Sequence, residues 1–456
     1  MEYVSFFVGA GYGDESMAAA EARDLAFIGA DAGTIDVGPY QLAGLGTIFN
    51  EDLCRHDLRR ALRAARRKDI PFVVGSCGGS GSDEGVDWFA RMVREIAAEE
   101  GLAPFTMARL YAEVDRELVK ARVRAGRLHR LAGVELPYDD AAVDRSTRIV
   151  GVMGVAPIMT ALEAGADVVL AGRTTDSAIF ASLPLLEGCD AGVAWHAAKV
   201  AECGSAIAQP ARPDLLRVTL APSSFDVSTL TPQSRCTPWS VAAHQLYENG
   251  DPTCFVEPTG SLRTGDVVYE PADDATVRIS GAVFEPAASP TMKLEGVERA
   301  GYQSVAMASY NDRVLLETLP DWMKALRAEI DTKVARVLQD RAGAARLTIR
   351  TYGAGDGADL FAPEQVQVPG SDVFLLADVV APTQALATTV ATVAWHTMAH
   401  FTTGWTVGFV TAAWPFNPPV IERGPVFRFN VNHAMELDHP LEGVRIDYEE
   451  VAPGAR

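Results

Sequence analysis

The first half of the chain repeats one building pattern: a short apolar run, a glycine-rich turn, then a helical stretch. The runs are Tyr3–Val8, Leu25–Ile28, Pro71–Val74, Phe105–Tyr111, Ile149–Met153 and Asp167–Ala171, with helical patterns at Glu51–Arg67, Asp87–Glu100 and Pro157–Ala164. Strands alternating with helices of this length predict an α/β fold whose N-terminal domain is a mostly parallel, doubly wound sheet. Ligands of such sheets sit beyond the carboxyl ends of the strands. The loops at 9–16, 29–40, 75–85, 154–157 and 172–177 are therefore where function is expected.

The rhythm breaks at Gln209–Asp214, which sets an expected boundary between residues 1–212 and a second, mixed α+β domain at 213–456. That half alternates at Thr276–Ser280, Gln303–Ala308, Arg346–Thr351 and Val373–Ala377, with helices expected at Asp321–Arg341 and Gln384–Phe401. The apolar stretch Val379–Trp414 is interrupted by His396 and His400, so it reads as a buried helix and not a membrane span. Six scattered cysteines without a CxxC pair, and an amino terminus that reads as a first strand with no basic leader, point to the cytoplasm. A formal charge of −20 disfavours nucleic acid as a partner.

Four segments carry candidate chemistry. In Gly9-Ala-Gly11-Tyr-Gly13-Asp14, Gly11 and Gly13 allow backbone N–H groups to approach a ligand closely. A dinucleotide fingerprint needs a third glycine where Asp14 stands, so no redox nucleotide is expected, although Asp31 lies where a ribose-binding acid would. Asp14 reads as a helix cap or as an acid of the site. In Gly75–Gly81, the groups of Ser76, Gly78, Gly79 and Ser80 can cradle an anion, without the lysine of a nucleotide triphosphate loop. The other reading is a tight turn capped by Asp83.

Arg173 and Thr175, in Arg173-Thr-Thr-Asp176, suit a carboxylate or phosphate, while Asp176 can instead hold Arg173 structurally. Helical spacing puts His196, Lys199 and Cys203 on one face with Glu202 beside Lys199, and makes His196 and Lys199 acid/base candidates. His396 and His400 have metal-pair spacing without the accompanying glutamate, and read as buried, hydrogen-bonded histidines. His244 has only Glu248 one turn on. The seven basic residues of Arg55–Lys68 read as a solvated face or as a contact to an anionic ligand.

Several of these segments together resemble the acyclic terpene utilisation (AtuA-like) family. They are Gly165-Ala-Asp-Val-Val-Leu-Ala-Gly-Arg173-Thr-Thr-Asp176-Ser-Ala, Trp195-His196-Ala-Ala-Lys199 with Glu202-Cys203-Gly204, His244-Gln-Leu-Tyr-Glu248-Asn-Gly-Asp251-Pro, and Gly424-Pro-Val-Phe-Arg-Phe-Asn-Val-Asn-His433. Pro415-Phe-Asn417-Pro departs from a Pro-Phe-Ser-Pro pattern common in relatives. The resemblance implies catabolism of branched acyclic terpenes through CoA thioesters, in some cases beside a small partner protein.

Together these readings predict a hydratase, lyase or isomerase acting on a small branched hydroxy- or unsaturated carboxylic acid or its CoA thioester. Arg173 and Gly75–Gly81 would hold the anion, His196 or Lys199 would move a proton, and Asp14, Asp31 or Asp176 would assist. Coenzyme A enters as part of the substrate, and no other cofactor is expected. The competing readings are a non-catalytic subunit or scaffold, and a lyase or hydrolase using a divalent metal on Asp31, Asp176 and His196. A homo-oligomer is expected.

Overall fold

A computed structural model describes residues 1–34, 38–44, 47, 49–246, 249–353, 372–404 and 412–452. The expected role of Glu248 lies outside the described residues. In chain order the elements begin β1 (Glu2–Phe7), α1 (Asp14–Glu21), β2 (Phe27–Gly33), α2 (Glu51–Lys68), β3 (Phe72–Gly79), α3 (Asp83–Glu100) and β4 (Phe105–Tyr111). They continue with α4 (Arg116–Arg124), β5 (Leu128–Arg130), α5 (Asp140–Arg145), β6 (Arg148–Val152), α6 (Val155–Glu163), β7 (Val168–Ala171), α7 (Asp176–Leu186) and α8 (Ala191–Ala201). Next come β8 (Leu216–Leu220), β9 (Ser224–Thr229), α9 (Pro238–His244), β10 (Cys254–Glu257), β11 (Gly260–Arg263), β12 (Val268–Pro271), β13 (Val277–Ser280) and β14 (Val283–Pro286). The last are β15 (Thr291–Tyr310), α10 (Arg313–Glu317), α11 (Leu319–Leu338), β16 (Arg346–Gly353), β17 (Val373–Ala381), α12 (Gln384–His400), β18 (Val420–Glu436) and β19 (Arg445–Val451).

These elements form two compact units, residues 1–298 with 429–456, and residues 299–428. The first is built on a ten-stranded sheet in the order β12-β13-β9-β8-β1-β2-β3-β7-β4-β19. Its centre, β1-β2-β3-β7-β4, is parallel. On one side β8, β9, β13 and β12 pair antiparallel, as does β19 on the other. The sheet is therefore mixed, because short connections such as residues 221–223 between β8 and β9 can join only antiparallel neighbours. The boundary expected at residue 212 falls inside this unit, where β8 lies against β1 from Glu2↔Thr219 to Ser5↔Leu216. The strand expected at Ile149–Met153 is β6, but it pairs antiparallel with Lys293–Val297 of β15 and not with the central sheet.

Alternation along the central strands sorts their side chains onto two faces. Val4, Phe6, Ile28, Ala30 and Val74 pack with α1, α2 and α3, through residues such as Leu58, Leu62, Phe89 and Val93. Tyr3, Phe27 and Val73 pack on the other face with Ile158, Phe180, Trp195 and Ala198 of α6, α7 and α8. This confirms helices on both faces. A Cβ on Gly75 would stand 2.3 Å from Ile179 Cδ1, so the missing side chain is what lets α7 settle directly on β3.

The basic helix α2 finds its anions within the chain. Arg55 and Arg59 pair with Glu95, Glu99 and Glu100 of α3, Arg60 with Asp14, and Arg66 with Asp167. Asn50 caps its start by accepting from Leu53 N, and Asp69 ends it in the left-handed region.

In the second unit, β17 lies between β16 and Tyr302–Tyr310 of β15, all antiparallel. Trp322, Leu326 and Ile330 of α11 and Val390, Ala394 and Met398 of α12 form its core. His396 and His400 are on the exposed side of α12, which corrects their reading as buried histidines. The stretch from Val379 is the end of β17 followed by α12, and no helix among the described residues is long and apolar enough to cross a membrane.

Candidate active site

The turn after β1 does bind an anion, but the anion is the protein's own. Gly9 and Gly11 both have positive φ, and their N–H groups donate to Asp57 Oδ2 of α2 at 2.9 and 3.1 Å. Asp57 is fully buried, and Tyr12 Oη donates to its carbonyl oxygen at 2.8 Å. Gly13 is the N-cap position of α1, so Asp14 is not the cap; it sits in the first helical turn, mostly exposed, paired with Arg60. The Arg60 guanidinium holds the Asp14 carboxyl below its usual range. Neither Asp14 nor Gly11 thus faces the remaining candidates.

The glycine-rich loop and the end of β7 are fastened to one another. Arg173 N donates to Gly81 O at 2.9 Å, Ser76 N to Gly172 O at 3.1 Å, and Thr174 N to Ser76 Oγ at 3.2 Å. Ser82, not Asp83, caps α3 by accepting from Gly85 N. Arg173 Nη1 reaches Ser76 Oγ at 3.4 Å, and its Nε donates to Glu295 Oε2 at 3.1 Å. Glu295 also receives Lys293 Nζ at 2.8 Å, whereas Asp176 is 3.9 Å from Arg173. Burial opposes the Arg173 charge, but Glu295 and Asp176 hold it firmly protonated. Burial likewise opposes the Glu295 anion, and Arg173 and Lys293 outweigh it. Two cations thus share Glu295, with Asp176 beside Arg173 as a second anion, so the charges at the strand ends balance.

Behind this lies a cluster of acids. Alternation on β2 turns Asp31 toward the α7–α8 face, where its Oδ1 accepts from Gly33 N at 2.9 Å. Thr175 caps α7 by accepting from Ala178 N, which sets Asp176 and Ser177 at the helix start. Ser177 Oγ donates to Glu202 Oε2 at 3.4 Å, and Lys199 pairs with Glu202 one turn along α8. His244 Nε2 stands 3.9 Å from Glu202 Oε1. Burial raises the pKa of Asp31, with the Asp176 charge adding to it. Burial also raises Glu202, with Lys199 pulling the other way, and pushes Glu257 up to about 7. The Asp176 charge contributes to all three shifts, and its side chain is about one-third exposed (34%). Lys199 stays charged because Glu202 overcomes its burial.

Asp31, Ser76, Arg173, Thr175, Asp176 and Lys199 are thus brought together, at strand ends and on the helices that follow them. His196 is not among them. It is fully buried edge-on to Phe225 and Tyr269, with Tyr269 Oη 3.4 Å from its Nε2, and burial lowers its pKa to about 3. Glu202, Glu257 and Glu295 are the members missing from the expected site. The i,i+3 step from Lys199 signals Glu202, and Lys293 and Glu295 share a strand face, but nothing local marks Glu257. Glu202, Cys203 and His244 each offer a ligand atom, all within 4.8 Å of one another, a donor set suited to a divalent ion. The Lys199 ammonium already on Glu202 would repel such an ion.

Fold and site define an open α/β protein with a buried acid–base cluster beyond the ends of its parallel strands. The family model described as acyclic terpene utilisation family protein AtuA matches residues 41–208 and 229–425, and the chain belongs to that family. Comparison with curated proteins and with solved structures gives no match.

Proposed function

We propose that the chain is an acid–base enzyme of the hydratase, lyase or isomerase type. Its substrate is a small branched hydroxy- or unsaturated carboxylic acid or the CoA thioester of one, in keeping with the family's description as acyclic terpene utilisation proteins. It works in the cytoplasm as a homo-oligomer. The observation that carries this reading is the setting of Asp176, partly open to solvent and ringed by Asp31, Glu202 and Glu257, whose proton affinities are raised.

Loss of water from a β-hydroxy acyl group needs a base at the α-carbon and an acid at the departing hydroxyl. Burial raises Glu202 against the pull of Lys199, so the Lys199–Glu202 pair holds a proton near neutrality and is suited to giving one. Asp176, the more exposed acid, is suited to taking one. The Arg173 guanidinium and the Lys293 ammonium, with Ser76 beside Arg173, are placed to hold the carboxylate or thioester oxygen. His196, enclosed by rings and driven neutral, has no part in this scheme.

The test is turnover of 3-methylcrotonyl-CoA and 3-hydroxyisovaleryl-CoA and their free acids, read by mass spectrometry in D2O for water addition and α-deuterium incorporation. Asp176→Asn and Glu202→Gln should each lower the rate by about 10²–10⁴-fold, the usual size of one general acid or base. Full turnover in both variants would sink the reading. A metal-dependent lyase or hydrolase is the second reading, favoured by the Glu202, Cys203 and His244 donor set. It is the one that stands if purified protein carries stoichiometric zinc, manganese or magnesium and loses activity to a chelator.

A further inference from the structure

We infer that Gln41 is a substrate-binding residue that reads a hydroxyl beside a carboxyl or thioester carbonyl, so that the hydroxy acid is the preferred ligand of this site. Gln41 is only 3% exposed, and among the described residues neither its Oε1 nor its Nε2 has a hydrogen-bond partner. A buried amide left unpaired at both atoms is costly, and proteins rarely keep one without a use for it.

Its position supplies the use. A Cβ on Gly79 would come within 2.3 Å of Gln41 Oε1, so the amide lies directly on the glycine-rich loop at the carboxyl end of β3. Gly79 is paired with Gly33, and a Cβ on Gly33 would meet Ser76 Oγ at 2.9 Å and Arg173 Nη1 at 3.3 Å. The amide, Ser76 and Arg173 thus follow one another along the same strand ends. Phe49 flanks the place, its ring 3.0 Å from the same Gly79 Cβ position. An amide presents one acceptor and one donor side by side. The complementary group on a ligand is a hydroxyl that donates next to a carbonyl or carboxylate oxygen that accepts. Both amide atoms are covered in the free protein, so a ligand reaches them only when the Gln41 side chain swings off Gly79.

The inference takes its substrate class from the acid–base reading, but its test needs binding and not turnover. 3-Hydroxyisovalerate and isovalerate, each as free acid and CoA thioester, would be titrated calorimetrically into wild type, Gln41→Leu, Gln41→Met and Glu202→Gln. Wild type should bind the hydroxy member of a pair at least about 10-fold more tightly, and both Gln41 variants should lose that preference. The Gln41→Leu variant without ligand should melt roughly 2–4 °C higher, because an apolar group replaces an unpaired amide. No preference in wild type, no binding of any probe, or a preference kept in the Gln41 variants overturns the inference. A higher melting temperature with the preference intact marks a merely structural amide. If Asp176→Asn and Glu202→Gln both keep full turnover while Gln41→Leu loses the preference, the acid–base reading falls and the role of Gln41 stands.

Discussion

At the scale of single residues, the commonest reason a promising motif is not a site is that a side chain of the same chain has already filled it. Asp57 completes the Gly9–Gly11 turn by accepting two N–H groups with one buried oxygen. Asp57→Ala leaves both donors orphaned and should cost about 2–4 kcal/mol, and Asp57→Asn less, because an amide oxygen still accepts. Urea unfolding gives the energies, and faster hydrogen exchange at the Gly9 and Gly11 amides locates the loss. Arg173 is held by the same kind of internal partnership. Truncating it leaves Glu295, 1% exposed, with Lys293 as its remaining cation, and should destabilise by about 3–5 kcal/mol. The double variant Arg173→Met with Glu295→Met removes the stranded charge as well. It should therefore be more stable than Arg173→Ala in the same urea titration.

At the scale of elements, the joint between the glycine-rich loop and β7 sets the position of Arg173. Gly81 has φ +64°, and a Cβ there would stand 2.2 Å from Arg173 N. Gly81→Ala should lose roughly 3 kcal/mol or more, and with it the proposed α-deuterium exchange, because backbone and not a flexible side chain must give way. Gly101 has a similar φ of +59° but open space around its Cβ position, at the end of α3. Gly101→Ala should cost only about 1 kcal/mol and leave the activity intact. Comparing the two denaturation midpoints separates backbone strain from the packing of the joint. Local pattern located α2, α3, β4 and β7 to within a few residues, since period and capping are written in neighbouring positions. It also brought Asp31, Asp176, Arg173 and Lys199 to one place, because all sit at strand ends or on the helices that follow. Pairing partners are another matter. Alternation marks Thr276–Ser280, which is β13, as a strand but not as a strand of the first sheet, it leaves β8 and β9 unmarked, and the Arg173–Glu295 contact spans 122 residues. The spacing of His396 and His400 fixes that they share a face of α12 but not that the face is the exposed one.

For the whole molecule, a charge of −20 means that an anionic substrate approaches against the overall field. The attraction has to come locally from Arg173 and Lys293, and the Arg173 charge, held deep in the site, is screened by salt less than a surface charge is. The same burial makes stability depend on pH in two opposed ways. His196 has its pKa lowered from 6.5 to about 3, so below 6.5 the unfolded chain takes up a proton that the folded chain refuses, and stability falls as pH drops through that window. Glu257 has its pKa raised from 4.5 to about 7, so in that interval the folded chain keeps a proton that the unfolded chain has released. Raising the pH from about 4.5 to 7 therefore penalises the folded state, by on the order of 3 kcal/mol from this residue at full effect. Asp31, also raised by burial, adds to the slope in the same sense. Above pH 6.5 the histidine term is exhausted and the carboxyl term alone remains, so the melting temperature should decline from about pH 6.5 toward alkaline pH. Glu257→Gln removes its share of the titration: the variant should match wild type near pH 5 and exceed it at pH 8. Calorimetric melting of both proteins across pH 5–8 decides the matter, and parallel curves would show that Glu257 does not hold its proton in the folded chain.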